Sequence, residues 1–307
     1  MTALAKSKIK KNFKKYGTVG LLLSPYLVAF ITFFIVPFFY GIFISFFKWD
    51  YFDPGSRVFL GFGTGSNYWT LLFSGSQRSS DFLNSIKNTL LFVFISVPLL
   101  IIIPLFIAIL LDNEPKFYKV FRAIFFLPTV LSVTVVCLIF RWQFDSNNGF
   151  VNGILNLFGI NSVSWLNQQP FSWIAILVTT IWWTIGTNVV IFSAGLKDVD
   201  KQLYDAASID GCGYFNSIIH IAIPGIRNQL FLALFTSVIS SFNLYGQSAL
   251  LTEGGPEKST TSATMWIYGL VFDTTKGGLA ASAAIIFGFL ILLVSVTQFI
   301  YQRKAEK

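Results

Sequence analysis

Residues able to do chemistry form two sets in this chain of 307 residues. The first is the run LKDVDKQLYDAASIDGCGYFNSIIHIAIPGIR at 196–227. Asp198, Asp200, Asp205 and Asp210 outnumber Lys197, Lys201 and Arg227 there, and Ala206 and Ala207 leave room for a second backbone. Such a set can dock another protein through charge and close contact. A solvated interfacial helix with no partner fits the same residues equally well. The second set is uncharged and sits in apolar surroundings: Ser237, Ser240, Ser241, Asn243, Tyr245 and Gln247 in one stretch, Trp183, Thr184, Thr187 and Asn188 in another. Their hydroxyls and carboxamides bind by hydrogen bonding, although serine and threonine also bond their own backbone or join helices. Signs of covalent, metal or nucleotide chemistry are missing. There is no G-x-x-x-x-G-K-[ST] loop, no H-E-x-x-H and no C-x-x-C, and His220 is the sole histidine. Cys137 and Cys212 lie apart, one in an apolar stretch and one in a loop. No metal site and no cofactor is expected on this chain.

These residues must be positioned by elements suited to an unusual composition. Apolar residues make up 54%, aromatic residues 18% and charged residues 12%, against about 25% charged in an ordinary soluble domain. Such a chain cannot cover a globule with polar surface, and it is too apolar to be disordered. Charge is absent between Lys15 and Lys48, Lys87 and Asp112, Arg122 and Arg141, Asp145 and Lys197, Arg227 and Glu253, and Lys276 and Arg303. Each window holds the roughly 20 residues that cross a bilayer. Ser146–Pro170 is rich in Asn, Gly and Gln and reads as a loop with a short amphipathic helix, so the fourth span begins near Phe171. Val58–Gln77 is broken by four glycines and reads as an external loop. The expected fold is all-α: a polytopic membrane protein with six transmembrane helices near 19–47, 86–111, 123–142, 172–195, 228–250 and 277–300. Pro25, Pro37, Pro98, Pro104 and Pro128 fall inside spans, where kinks are expected. Tyr40, Trp142 and Trp173 near span ends read as interfacial anchors.

Charge also sets orientation. The end that carries both termini has fifteen basic residues, among them Lys6, Lys8, Lys10, Lys11, Lys14 and Lys15; the opposite side has seven. The positive-inside rule then places both termini in the cytoplasm. The basic excess is a topogenic signal that also suits anionic lipid, rather than a nucleic-acid site. Residues 1–18 form a basic tail, 19–302 the transmembrane unit with a loop at 197–227, and 303–307 a short tail. Within the loop, Asp198 or Asp200 can cap a helix over Lys201–Ile209. Gly211 and Gly213 break it, Tyr214–Ile221 forms a second helix, and Pro224 ends that one.

The run Tyr204-Asp205-Ala206-Ala207, Asp210-Gly211 and Ile221-Ala222-Ile223-Pro224 resembles the EAA signature of the membrane subunits of binding-protein-dependent ABC importers. Asp205 stands for the usual Glu, Cys212 for the usual Ala after the glycine, and Ile223 for the usual Leu; a second proline downstream is replaced by Asn228 and Gln229. Ser24-Pro25, Asn88-Thr89, Gly149-Phe150-Val151-Asn152, Trp165-Leu166, Leu251-Thr252 with Gly254-Gly255-Pro256, and Gly278 to Ala284 are similar to the carbohydrate branch of these permeases, near the maltose and glycerol-phosphate types.

The resemblance implies a type I importer permease with a coupling helix between helices 4 and 5. It implies a multi-pass subunit in the plasma or inner membrane of a bacterium. Partners would be a second homologous permease, a dimer of ATPase subunits holding ATP and Mg, and an extracytoplasmic sugar-binding protein. Tyr204, Asp205, Ala206, Ala207, Asp210, Gly211 and Pro224 would carry the ATPase coupling. Trp183, Thr184, Asn188, Ser237, Ser240, Ser241, Asn243, Tyr245 and Gln247 would line the sugar path. A secondary transporter would instead need ion-coupling carboxylates in its spans, and the spans hold none.

Overall fold

Backbone N–H and C=O groups in hydrocarbon must pair within the protein, and a helix does this within one segment. The long apolar runs accordingly form long helices. The computed structural model describes residues 19–50, 52, 53, 55, 57–272 and 276–305. The basic tail expected at 1–18 and the last two residues of the tail expected at 303–307 lie outside the described residues.

Helix α1 spans Val19–Ile44. Strands β1 (Phe47–Lys48) and β2 (Val58–Phe59) pair antiparallel, and the short helix α2 follows at Asn67–Leu72. α3 runs over Gln77–Asp112, starting nine residues before the expected 86 because Ser76 caps it by accepting from the N–H of Ser79. At about 1.5 Å per residue this helix is roughly 54 Å long. α4 (Tyr118–Phe126) continues as a 3-10 turn at Leu127–Val130, and α5 is Val133–Gln143. The expected short helix in the 146–170 loop is α6, Phe150–Leu157. α7 is Phe171–Lys197. Then come α8 (Lys201–Ile209), α9 (Tyr214–Gly225), α10 (Arg227–Phe242), α11 (Gly246–Leu251), α12 (Ala263–Phe272) and α13 (Gly277–Ala305).

Four helices, α1, α3, α7 and α13, are each long and apolar enough to cross a membrane. Two bent helix pairs pass the same test of length and composition, so the candidate spans number four, or up to six if each pair is one span. The span expected at 123–142, with a kink at Pro128, is one of the bent pairs: α4 with its 3-10 turn meets α5 at 103°. Pro128 opens the 3-10 turn, Leu131 is extended, and Ser132 starts α5 anew by capping Val135. The other pair is α9 and α10, bent by 70°. The sequence placed α9 wholly in the loop and ended it at Pro224. Instead the helix runs through Pro224 to Gly225, and the bend falls at Ile226 (φ −99°, ψ 21°).

Proline in a helix removes an N–H and crowds the carbonyl four residues back. Before Pro37 and again before Pro224 the helix widens into a π turn, at Ile31–Ile35 and Ile218–Ala222. There the N–H of Val36 reaches the carbonyl of Ile31, and that of Ile223 the carbonyl of Ile218. The wider turn carries the chain past the ring without a break.

The core lies where α3 and α7 pack along each other with α10 against α3. Phe92, Val136, Cys137, Ala175, Ile176, Leu244 and Leu251 fill one end; Ala108, Phe192, Leu196, Val199, Ala222, Ile226 and Ala233 fill the other. By contrast α1 is apolar and exposed on every side, with Leu21 at 74% and Phe33 at 80%. A helix apolar all round needs hydrocarbon or another chain as its solvent. It is attached at its end, where the carbonyl of Ser45 accepts from Asn67 Nδ2 and from Ser282 Oγ, each at 2.9 Å.

Close approach of α4 to α7 depends on Gly186. A Cβ there would collide with the Phe125 carbonyl and lie 2.7 Å from Phe126 Cα. Gly186→Val should therefore lower stability by about 1–3 kcal/mol, as overpacked cores do. Thermal unfolding of the purified protein in detergent checks this, with Gly153→Val, where a Cβ meets nothing within 4 Å, as the neutral control.

Candidate functional site

Two cavities contain most of the residues singled out from sequence. One, of about 690 Å³, opens between α3, α5, α7 and α10. Trp183, Thr184, Ser240, Ser241, Asn243, Tyr245 and Gln247 all line it, together with Phe92, Val133, Thr180, Phe235, Thr236 and Ile239. It centres on an interruption of the expected helix at 228–250: α10 stops at Phe242, residues 243–245 are irregular, and α11 starts at Gly246. Non-helical backbone at membrane depth is tolerated only inside protein or along a cavity. Asn243, a poor helix former, followed two residues on by Tyr245-Gly246, was the available sequence signal for the break. Gly246 also lets α11 approach Val133 of α5.

Several polar groups of the lining are oriented by the protein itself. Trp183 Nε1 donates to the carbonyl of Leu131 at 3.0 Å, the extended residue between α4 and α5. Thr184 Oγ1 donates to Thr180 O at 2.8 Å, and Ser240 Oγ to Ser237 O at 3.1 Å. Ser96 of α3 reaches Ser241 at 3.1 Å, and Asn243 Nδ2 donates to Ile239 O at 3.0 Å. A hydroxyl that donates to its own helix still presents lone pairs to the cavity. Tyr245 packs on Tyr268 with centroids 5.1 Å apart, and Tyr268 on Phe272 at 4.3 Å. Among the described residues no Asp, Glu, Lys, Arg or His lines this cavity. It suits an uncharged solute with many hydroxyl donors and apolar ring faces.

Asn188 and Ser237 are not in that lining. Asn188 is 5% exposed, and its amide donates to Leu100 O at 2.7 Å and to Ser237 Oγ at 2.9 Å. Leu100 stands four residues before Pro104, whose missing N–H leaves that carbonyl without its helical donor. Asn188 therefore repairs the α3 backbone from α7 and ties in α10. Here sequence reading gave weight to an open path, and the geometry gives a joint between three helices. Pro104 was the signal that could have assigned it.

The second cavity, of about 790 Å³, lies at the other end of α3 and α7. Asp112, Asn113, Glu114, Lys197, Val199, Lys201, Tyr204, Asp205 and Tyr214 are among its lining residues. α8 is held over it by few contacts. Tyr204 is half-buried against the cluster of Phe192, Leu196 and Ala222, while Asp205, Ala206 and Asp210 are exposed. Burial, with the nearby Asp112 carboxylate, pushes the Tyr204 phenol above its ordinary range. Asp200 is the cap, accepting from the N–H of Gln202 at 2.9 Å. The helix ends in a left-handed turn at Gly211 (φ +78°). Gly211 N–H bonds to Ser208 O and Cys212 N–H to Ala207 O, at 3.1 and 2.8 Å. These are the paired bonds of a Schellman ending, which favours glycine at the left-handed position. Leu203, Ile209, Tyr214, Phe215 and Ile219 are exposed apolar residues around this element, Ile209 at 87%. The expected two short helices at 201–209 and from 214 are thus present.

Glu114, in the turn after α3, pairs with Lys197 at 2.9 Å, and Asn113 Nδ2 donates to the Tyr214 hydroxyl at 2.9 Å. The hydrogen bond and charge of Lys197 hold the Glu114 carboxyl below its ordinary range. Its contribution to stability is therefore complete above the ordinary glutamate range and fades only as acid protonates it below that range. At the opposite end of α3, Asp81 pairs with Lys258 at 2.8 Å, Asn88 Nδ2 donates to the carbonyls of Lys258 and Thr261, and Arg141 pairs with Glu253 at 3.0 Å. These contacts hold the 252–262 loop, with Gly254-Gly255-Pro256, on α3 and α5. Among the described residues no group of three or more His, Cys, Asp or Glu could hold a metal ion.

Replacing Asn188 by Ala would orphan the buried Leu100 carbonyl and remove the Ser237 contact. Stability should fall by about 1–3 kcal/mol, read as a lower thermal midpoint. Thr187→Ala, on the adjacent exposed position of the same helix, should leave the midpoint unchanged.

Comparison with known proteins agrees with this architecture. The family described as binding-protein-dependent transport system inner membrane component matches residues 71–307. The arabinooligosaccharides transport system permease protein AraP of Bacillus subtilis is 28% identical over 287 residues, 92% of this chain and 88% of that protein. The lactose transport system permease protein LacF of Rhizobium radiobacter is 29% identical over 231 residues, 73% of this chain and 77% of that one. In structure, a chain of a bacterial ABC transporter involved in the import of the acidic polysaccharide alginate superposes with a TM-score of 0.82 at 21% identity, covering 98% of this chain and 100% of that chain.

Proposed function

This chain belongs to the family of binding-protein-dependent transport system inner membrane components, and from that membership we propose how its two cavities divide the work of carbohydrate import. It is a multi-pass transporter subunit rather than an enzyme. The cavity at the α10–α11 break is the sugar path, and α8 is the element that couples the spans to a separate ATPase. The observation that carries this reading is the convergence of Trp183, Thr184, Ser240, Ser241, Asn243, Tyr245 and Gln247 on one uncharged cavity at a helix break. Hydroxyl and amide groups match the donors and acceptors of a sugar, and Trp183 and Tyr245 supply faces for its rings. Relatives that carry arabinooligosaccharides and lactose support the same substrate class.

Both termini and α8 face the cytoplasm, following the basic excess on that side. An extracytoplasmic binding protein delivers sugar at the 252–262 end. A second, similar permease completes the path, and a pair of ATPase subunits holds ATP and Mg. On ATP-driven closure, α8 moves as a rigid body and biases the spans between outward-open and inward-open arrangements. Asp205 offers charge to the ATPase surface, Ala206 and Ala207 allow close approach, and the apolar residues around them are covered on docking. Gly211 fixes the turn by which α8 hands motion to α9, and Pro224 carries that helix toward the bend at Ile226. Asn188 and Ser237 serve the path indirectly, as the joint behind its wall.

The test is reconstitution of the chain with its partner subunits in liposomes. Uptake of a neutral oligosaccharide should require ATP and the binding protein. Uptake by this chain alone without ATP would overturn the reading. Asp205→Arg should cut ATP-driven uptake at least about tenfold, the effect of a coupling loss near 1.4 kcal/mol, while the chain remains inserted. Asn243→Leu should change the ranking of sugars transported; identical kinetics for every sugar would remove Asn243 from the path.

A further inference from the structure

Helix α12 has two faces of different chemistry. Leu270 is buried with Phe82 of α3 and with Leu279 and Ala283 of α13, and Trp266, Ile267 and Val271 pack against the same cluster. Its start is fixed as well. The N–H of Ala263 donates to Thr89 Oγ1 of α3 at 2.9 Å, and that of Met265 to Ser262 Oγ at 3.2 Å. The other face carries Thr264, Tyr268 and Phe272, four residues apart and so one above the other on a helix. No charged residue occurs in α12. This second face meets the break between α10 and α11. Thr264 Oγ1 lies 3.5 Å from the carbonyl oxygen of Phe242, the last residue of α10. One turn on, the Tyr268 ring stands 5.1 Å from the Tyr245 ring, and the Phe272 ring stands 4.3 Å from that of Tyr268. Of these three rings, Tyr245 alone lines the 690 Å³ cavity. Tyr268 and Phe272 continue its aromatic surface outside, 46% and 65% exposed. The row has a direction. Ala263 sits at Thr89, and Leu270 clusters with Phe82, nearer the start of α3. It therefore leads from the cavity toward the end of α3 on which the 252–262 loop rests.

We propose that Tyr245, Tyr268 and Phe272 form a stacking row for successive rings of a neutral oligosaccharide, so that this subunit selects chains long enough to reach past the cavity. The inference rests on the sugar-path reading above. An aromatic face meets the C–H side of a sugar ring, and the two phenol hydroxyls beside it meet the sugar's own hydroxyls. Tyr268 and Phe272 are one helical turn apart, about 5.4 Å along α12, a step comparable with the advance from one ring to the next in an extended glycan. A disaccharide held at Asn243 and Gln247 has no unit left for Phe272. A longer chain gains a contact there for each added unit. Because α12 is packed on α3 and α13 and tied at its start, the row is in place before sugar arrives and loses little freedom on binding.

The experiment uses the full chain in its assembled complex in liposomes, with the binding protein saturated, so that rates report handling of the sugar by the permease. The probes are gluco-, xylo- and arabino-oligosaccharides of two to six units, and the readout is the uptake rate of the hexasaccharide divided by that of the disaccharide in one series. Tyr268→Ala and Phe272→Ala should each lower this ratio about fivefold, the size of one aromatic contact. Tyr268→Phe and Phe272→Tyr should keep it, and Tyr301→Ala, an exposed aromatic at the far end of α13, should leave it unchanged. An equal loss of uptake for both lengths would mean a structural role and overturns the row. So does loss of the second permease from the purified Tyr268→Ala complex, which would make this face a protein contact. A parent complex that carries disaccharides and nothing longer overturns the row while the sugar path stands. Uptake of none of these sugars by the parent overturns both.

Discussion

One carbonyl shows the constraint on which this fold depends. Pro104 deprives Leu100 of its helical donor, and a buried carbonyl left unpaired in an apolar span is costly. Asn188 supplies the missing N–H from α7 and gives its other amide hydrogen to Ser237 of α10. A defect in one helix thus becomes a joint among three. The same logic recurs at the α4–α5 bend, where Trp183 takes up the carbonyl of Leu131. At these two interruptions a side chain from a neighbouring helix completes the ladder, and the repairs tie α7 to α3 and to the α4–α5 bend.

The repairs also explain where the cavities lie. Breaks in α4–α5 and α10–α11 remove backbone from the centre of the bundle and leave a space that Trp183, Tyr245 and the hydroxyls of α7 and α10 line. At the far end of α3, the space under α8 is bridged by one ion pair and one hydrogen bond rather than filled by apolar packing. The first arrangement holds side chains still around a solute. The second lets a helix rest on the bundle with little of its surface buried, as an element that must be gripped from outside requires.

Much of this was legible in the residues. Charge-free windows coincide with the four helices long and apolar enough to cross a membrane, because the cost of charge in hydrocarbon is large and local. The polar residues of α7, α10 and the 243–247 segment stood out because they were anomalous in their windows, and seven of the nine line one cavity. Asp200, Gly211 and Gly213 announced the ends of α8 through capping chemistry that acts within a few residues. What escaped was tertiary. Pro128 marked a kink in the third span, but composition gave neither its size of 103° nor the interruption at Asn243, since bent and straight helices bury similar side chains. Nor can it tell a polar residue facing a path from one repairing a distant backbone, as with Asn188. Pro224 misled for a related reason: a π turn let the helix pass a residue that ordinarily stops it.

Those π turns have a consequence for angular phase. Each residue of an α-helix advances the face by about 100°, and a π turn inserts one extra residue into the count. Side chains before and after Ile31–Ile35, and before and after Ile218–Ala222, therefore belong to helical wheels rotated against each other. The apolar and polar faces of α9 cannot be projected onto one wheel. Deleting a single residue within 218–222 would restore an ordinary turn and swing everything N-terminal to it, α8 included, by roughly a quarter of a revolution relative to the bundle. The direction in which Asp205 points is thus written partly in the chain length of a segment it never touches.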